Sequence, residues 1–315
     1  MTSDATFIER LIEAQGQKES LVIVGLDPHL DLLPPDLVAR AREETDSALA
    51  AAISACRTFC LEVLEAVAGA CVAVKPQIAF FEQLGSGGIA VFEEVVARAQ
   101  SMGLAVIGDV KRGDIGSTAA AYARAWLGGT MLGNDPLPGP RLDALTVNPY
   151  LGSDGIRPFV ERAAAGGQGL FVLVRTSNPS SGELQDLVCG EDGEALFERV
   201  GRLVSEWGRD LIGPSGLSDV GAVVGATYPE SMATLRRALP TVPFLVPGFG
   251  AQGGGSESIA AALNPDGRGA WVNASRSILF AYRDRPGVDW RDAAKISAES
   301  MREELWRIRS QQQRT

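Results

Sequence analysis

Apolar residues in this chain gather in eight short runs rich in Val, Leu, Ile and Ala, at 21–27, 71–77, 105–111, 144–150, 170–176, 220–226, 243–249 and 270–276. The runs are continuous rather than alternating, which marks strands buried on both faces, and their starts lie 23 to 50 residues apart, enough for a crossover helix in each interval. Segments 88–102, 117–127 and 194–208 carry the apolar spacing of amphipathic helices. Eight βα units predict an α/β fold, a closed (β/α)₈ TIM barrel forming a single domain over 1–315. Its core lies at about 6–285, with a C-terminal helix and polar tail at 286–315; the charged stretch from 297 reads as a helix ending in disorder-prone polar residues. An open doubly wound sheet is the structural alternative. Turn-rich stretches 134–140 and 178–193 read as insertions, and no internal repeat or second domain is visible.

Polar residues collect at one end of the runs. Asp27, Lys75, Asp109 with Lys111, Asn148, Arg175 to Ser177, Thr227, Gln252 and Arg276 all stand at or just past a predicted strand's C-terminal end, where barrel active sites form.

Composition narrows the chemistry. Hydrophobic residues at 45% and charged residues at 22% describe a globular chain. The longest uncharged stretch, 238–256, is broken by three Pro and five Gly, so it cannot span a bilayer as a helix. Asp4, Glu9 and Glu13 near the N-terminus are unlike a secretion signal, and a cytoplasmic enzyme is expected. A net charge of −10 disfavours nucleic acid as partner and requires a local positive site for any anionic substrate. His29 is the only histidine, which excludes a Ser-His-Asp triad and HExxH zinc chemistry. Cys56, Cys60, Cys71 and Cys189 lack metal-type pairing and are expected to be free thiols. Catalysis therefore falls to Asp, Glu, Lys or Arg. Only four lysines occur, against 29 basic residues in all, so a lysine inside an apolar strand stands out; unlike arginine, it can give up its proton.

The most informative stretch is Gly108-Asp109-Val110-Lys111-Arg112-Gly113-Asp114-Ile115. In a strand, positions 109 and 111 face the same way, so acid and base enter one cavity, with Asp114 following from the loop. Lys75 at another strand end adds a second lysine to the same mouth. The alternative is a surface ion pair of little energetic weight. Glycines at 248–254 with Gln252, followed by Arg276 at the next strand end, match the place where barrels bind phosphate; a simple tight turn is the competing explanation for the glycines alone. Asp27 offers an acceptor for sugar hydroxyls or a loop cap. Thr176-Ser177-Asn178-Pro179 offers neutral groups for an amide-like ring edge or a structural turn.

Taken together, Gly-Leu-Asp-Pro at 25–28, Lys-Pro-Gln at 75–77, Asp-x-Lys-x-x-Asp-Ile with Thr118 at 109–118, Thr-Ser-Asn-Pro at 176–179, Pro-Gly-Phe-Gly-Ala-Gln-Gly-Gly at 247–254 and Asn-Ala-Ser-Arg-Ser at 273–277 resemble the orotidine 5′-phosphate decarboxylase family, in its longer bacterial subgroup. The resemblance runs over about residues 6 to 285 and implies a (β/α)₈ homodimer, no metal or organic cofactor, and decarboxylation of orotidine 5′-monophosphate (OMP) to UMP. It implies that Lys75 and Asp27 hold the ribose, that Asp109 and Lys111 face the carboxylate with Lys111 as proton donor, and that Ser177 meets the pyrimidine. It further implies that Gln252, Gly253, Gly254 and Arg276 bind the phosphate, while Asp114 and Thr118 enter the neighbouring subunit's site. Three other readings stay open on the residues alone: a metal-dependent sugar-phosphate enzyme of the same fold, a Schiff-base aldolase using Lys75 or Lys111, and a noncatalytic nucleotide-binding protein. The 178–193 insertion and the C-terminal tail have no assigned counterpart in the family.

Overall fold

Each of the eight apolar runs forms a parallel strand in the computed structural model, which describes residues 5–189, 193–249 and 255–313. The strands are β1 (Val22–Leu26), β2 (Ala73–Pro76), β3 (Ala105–Arg112), β4 (Ala144–Val147), β5 (Gly169–Arg175), β6 (Val220–Val224), β7 (Phe244–Pro247) and β8 (Ala270–Ala274). They pair in chain order and close through β8 against β1, with Val22 opposite Val272. Closure removes both sheet edges, and the near-continuous burial of these strands is what the unbroken apolar runs required. The open-sheet alternative is thereby excluded.

Helices Gly85–Ser101, Gly116–Leu127 and Leu196–Trp207 lie within a few residues of the predicted segments. The stretch at 134–140 begins inside a two-stranded hairpin that pairs Met131–Leu132 with Asp135–Pro136. The insertion carries a 3₁₀ turn (Pro179–Ser181), one helical turn (Gly182–Gln185) and the short strand Val188–Cys189, which pairs with Glu194–Ala195. One boundary needs correcting. The last helix begins at Trp290 rather than 297 and stays helical to Gln312, because an apolar stripe including Ala294, Ala298, Met301, Leu305 and Ile308 buries against the barrel's outer layer. Trp290 stacks on Phe59, and Arg291 pairs with Glu62 of helix Ala48–Val67. Polar composition alone could not show that burial.

The two barrel ends differ. At the strands' N-terminal end, helix Phe7–Lys18 forms a floor: Phe7 meets Phe171 edge-on, and the Ile8 N–H donates to Asp219 at 2.8 Å. At the opposite end the strands finish in the polar residues singled out from the sequence. All four cysteines are free. Among the described residues no helix is long and apolar enough to cross a membrane, and no group of three or more His, Cys, Asp or Glu side chains is arranged to hold a metal ion.

Candidate active site

The centre of the mouth is a buried ion cluster. Asp109 on β3 receives the Lys75 ammonium from β2 on Oδ2 and the Lys111 ammonium on Oδ1, each at 2.5 Å. The Lys75 and Asp109 side chains are 7% and 9% exposed, whereas Lys111 is 45% exposed and reaches inward from the rim. Burial works against a charged Lys75, but Asp109 and Asp27 outweigh it and hold the ammonium above the ordinary lysine range. Burial likewise works against an ionised Asp109, and the two lysines outweigh it, holding the carboxyl well below the usual carboxylate range. Lys75 and Asp109 are therefore both charged at neutral pH.

Plain strand alternation put positions 109 and 111 on one face, and the side chains do meet, but the backbone reaches that result differently. The β3–β4 register is interrupted between Gly108 and Arg112, and Lys111 has φ +44°. Among the described residues only Glu19, at a helix end, shares a positive φ without being glycine. Such backbone is uncommon for a residue with a side chain, and it concentrates at functional sites.

Two cavities of about 470 and 310 Å³ meet at this cluster, with Lys75, Asp109, Ser177 and Pro247 lining both. The larger adds Lys111, Thr146, Thr176, Asn178 and Gln185; the smaller adds Asp27, His29, Gln77, Phe80, Asn273 and Arg276. One trough thus runs from Lys111 at one end, past Lys75, Asp109 and Ser177 at the junction, to Asp27 and Arg276 at the other. Asp27 and Asn273 each keep a buried carbonyl-type oxygen without a hydrogen-bond donor. Buried acceptors of that kind suit ligand hydroxyls or amides. Arg276 is exposed and has no ion-pair partner among the described residues. The β1 end is tightly packed: a Cβ on Gly25 would lie 2.0 Å from Ser275 Oγ, so a larger residue there would have to displace that side chain.

Other residues singled out from the sequence stand outside this trough. Asp114 and Thr118 line neither cavity; Thr118 is exposed, and Asp114 Oδ1 accepts from the Ile115 N–H. Asn148 is exposed and turned into its own loop, where its Oδ1 accepts from the Tyr150 N–H. Arg175 is buried outside the trough, paired with Asp186 and lying 4.1 Å from the Tyr228 ring centroid. Gln252, Gly253 and Gly254 lie outside the described residues.

Sequence reasoning missed Thr146, Gln185 and Asn273. Thr146 lies in the middle of an apolar run, where a threonine reads as an ordinary strand residue. Gln185 lies in the insertion; its amide oxygen accepts from the Thr176 N–H at 2.9 Å and its amide nitrogen donates to Thr176 Oγ1 at 2.7 Å, which brings the insertion over the mouth. Asn273 was visible only as part of the Asn-Ala-Ser-Arg-Ser motif.

A closed parallel barrel with an alternating lysine–aspartate cluster at the C-terminal mouth defines a (β/α)₈-barrel enzyme. The profile of the Orotidine 5′-phosphate decarboxylase / HUMPS family matches residues 20–288, and the chain belongs to that family. It is 46% identical over 306 residues to the orotidine 5′-phosphate decarboxylase of Rhodopirellula baltica, covering 95% of this chain and 99% of that one. Its identity to the Deinococcus radiodurans protein of the same name is 41% over 301 residues, covering 95% and 97%. Among solved structures, Leishmania donovani OMP decarboxylase superposes with a TM-score of 0.72 at 32% identity, covering 97% of this chain and 99% of that one.

Proposed function

We propose that this chain removes CO₂ from OMP to give UMP, with Lys111 as proton donor. The observation that carries the reading is the Lys75–Asp109–Lys111 cluster at the junction of two cavities, one with neutral polar groups for a base and one with Asp27 and Arg276 for a ribose phosphate. The bond from the pyrimidine ring to its carboxylate breaks, CO₂ leaves, and the electron pair stays on the ring carbon. That carbon takes a proton from the Lys111 ammonium, and the neutral amine regains one from water. Fixed charges that need no reorganisation during the step lower its barrier. Asp27 and Lys75 hold the ribose hydroxyls, Ser177 reads the pyrimidine edge, and Arg276 binds the 5′-phosphate together with Gln252, Gly253 and Gly254. Asp109 faces the departing carboxylate.

The same reading makes the working unit a homodimer in which Asp114 and Thr118 complete the partner's site. Its support is their position off their own trough, beside the exposed apolar side chains Ile115, Tyr150 and Leu151. A two-fold partner seated there would cover that patch.

The metal-dependent sugar-phosphate reading is disfavoured because both oxygens of Asp109 are already taken by ammonium groups. The deciding experiment follows OMP by absorbance with purified protein, no added cofactor, and with or without EDTA. Turnover to UMP that survives the chelator is expected. No turnover, or turnover lost to EDTA and restored by Mg²⁺, would overturn the proposal.

A further inference from the structure

We infer that Thr146 is a positioning residue of this site, and that its hydroxyl, rather than the strand geometry of β3, aims Lys111 at Asp109. The inference rests on the reading of Lys111 as proton donor.

In the β3–β4 ladder Gly108 lies opposite Leu145, and the next matched pair is Arg112 with Val147. Between these pairs β3 places three residues, Asp109, Val110 and Lys111, where β4 places Thr146 alone. An insertion of this kind disrupts the backbone ladder and leaves the extra residues to find other partners. The Lys111 N–H finds the Thr146 side chain, donating to Oγ1 at 2.9 Å. The same hydroxyl donates its one proton to Asp109 Oδ1 at 3.0 Å. Oγ1 thus ties the backbone of the proton donor to the carboxylate that the donor's own ammonium touches.

Thr146 is 1% exposed, so no solvent competes for the hydroxyl. The left-handed backbone of Lys111 requires surroundings that hold it in place. Its N–H has this one hydrogen-bond acceptor, supplied by a side chain rather than a backbone carbonyl. Without the hydroxyl, a partly buried N–H and one carboxylate lone pair both lose their partner, and the bulge has no reason to keep φ positive. Lys111 would relax toward extended backbone, and its ammonium would leave Asp109 Oδ1. An error of about 1 Å in a reacting group costs on the order of 100-fold in rate, while contacts made elsewhere to the ligand persist.

Thr146→Val keeps the branched shape and removes the hydroxyl; Thr146→Ser keeps the hydroxyl and removes the methyl. With OMP as substrate, Thr146→Val is expected to lower kcat by about 100-fold, with UMP affinity changed less than about threefold, while Thr146→Ser stays within about fivefold of wild type. Crystal structures of both variants with UMP give a reading independent of turnover: Lys111 at negative φ and out of hydrogen-bond reach of Asp109 in the valine variant, unchanged in the serine variant. If the valine variant fails to fold, Thr146→Ala, which removes the hydroxyl and leaves space, supplies the same two readings. A hydroxyl-less variant with kcat within threefold of wild type, or with Lys111 still at positive φ against Asp109, overturns the inference. So does a serine variant as impaired as the valine one. Wild-type protein that leaves OMP untouched defeats the proposed function instead, and the variant structures then decide the role of Thr146 alone.

Discussion

Removing the charge of Asp109 while keeping its shape, as in Asp109→Asn, tests whether the cluster is held as an ion network. The Lys75 and Asp109 side chains are 7% and 9% exposed. Their pair therefore belongs with buried ion pairs, where deleting one member costs about 3–5 kcal/mol by stranding the other charge. The Lys111 half is 45% exposed on the lysine side and screened by solvent, worth at most about 1 kcal/mol. Asp109→Asn leaves the Lys75 ammonium with Asp27 as its remaining charged partner, so a loss of about 3–5 kcal/mol is expected at pH 7. Lys75→Met is milder, because Asp109 keeps Lys111 and the Thr146 hydroxyl; about 1.5–3 kcal/mol is expected, the worth of one charge-assisted hydrogen bond. The pH dependence has a definite sign. In the wild type Lys75 is raised, so its contribution is full below its unfolded value of about 10.4 and is lost only as pH climbs through the higher folded value. Asp109 is lowered, so its contribution is full above about 3.9 and is lost only as pH falls through the lower folded value. In Asp109→Asn the stranded lysine sheds its proton more readily, so the gap to wild type narrows toward pH 10. Reversible urea unfolding at pH 6, 7.5 and 9.5, followed by tryptophan fluorescence, measures all of this. A loss under about 1 kcal/mol for Asp109→Asn, or an equal loss for Lys75→Met, would refute the network.

Asp219, at the barrel floor, is pushed up to about 6 by burial, which outweighs the Ile8 N–H it accepts from. An acid with a raised folded value stabilises most below its unfolded value, so this group should remove on the order of 2 kcal/mol as pH rises from 4 to 7. Asp219→Asn should flatten that slope, and parallel urea midpoints for the two proteins at pH 5 and 7 would show it does not. Arg276→Ala should weaken UMP far more than uridine, as read by calorimetry; equal weakening would remove Arg276 from the phosphate site. Inactive Lys111→Ala and Asp114→Ala homodimers, once shown to exchange subunits, should regain about a quarter of their sites on mixing, since half the dimers are mixed and one site in each is intact. No recovery would return Asp114 to its own chain.

The barrel was legible because strands buried on both faces must be written as unbroken apolar runs, and a closed parallel sheet leaves no edge to be written differently. Lys75, Asp109 and Lys111 stood out because a charge in such a run has few purely structural explanations. The ring of polar strand ends was legible for the same reason, yet it overstated the site. Arg175 obeys the positional rule but turns toward Tyr228 and Asp186, and Asn148 turns into its own loop. A position at a strand end fixes where a backbone arrives and leaves the side chain's direction open. The bulge at Lys111 was illegible, since its cause lies across the ladder on β4, in a register relation that no single run of sequence contains. The buried stripe of helix Trp290–Gln312 was faint in the sequence because it is partly alanine, which carries a weak apolar signal.

The balance of charge in the trough bears on how an anionic nucleotide is held by a chain of net charge −10. Lys75, Lys111 and Arg276 face Asp27 and Asp109, three cations against two carboxylates, but the charges are not evenly spread. The lysines are committed to Asp109, whereas Arg276 is exposed at the far end with no ion-pair partner among the described residues. On the proposed reading, an approaching phosphate would meet this cation at the end of the trough away from Lys111. On the proposed reading the OMP carboxylate would settle beside an Asp109 that two ammonium groups keep ionised, and the repulsion there would be opposed by binding energy gained at Arg276. The two lysines are strong enough partners to prevent Asp109 from protonating and so relieving that repulsion. Under the proposed reaction, loss of CO₂ would relieve it instead, with the Lys111 ammonium left to meet the charge on the ring.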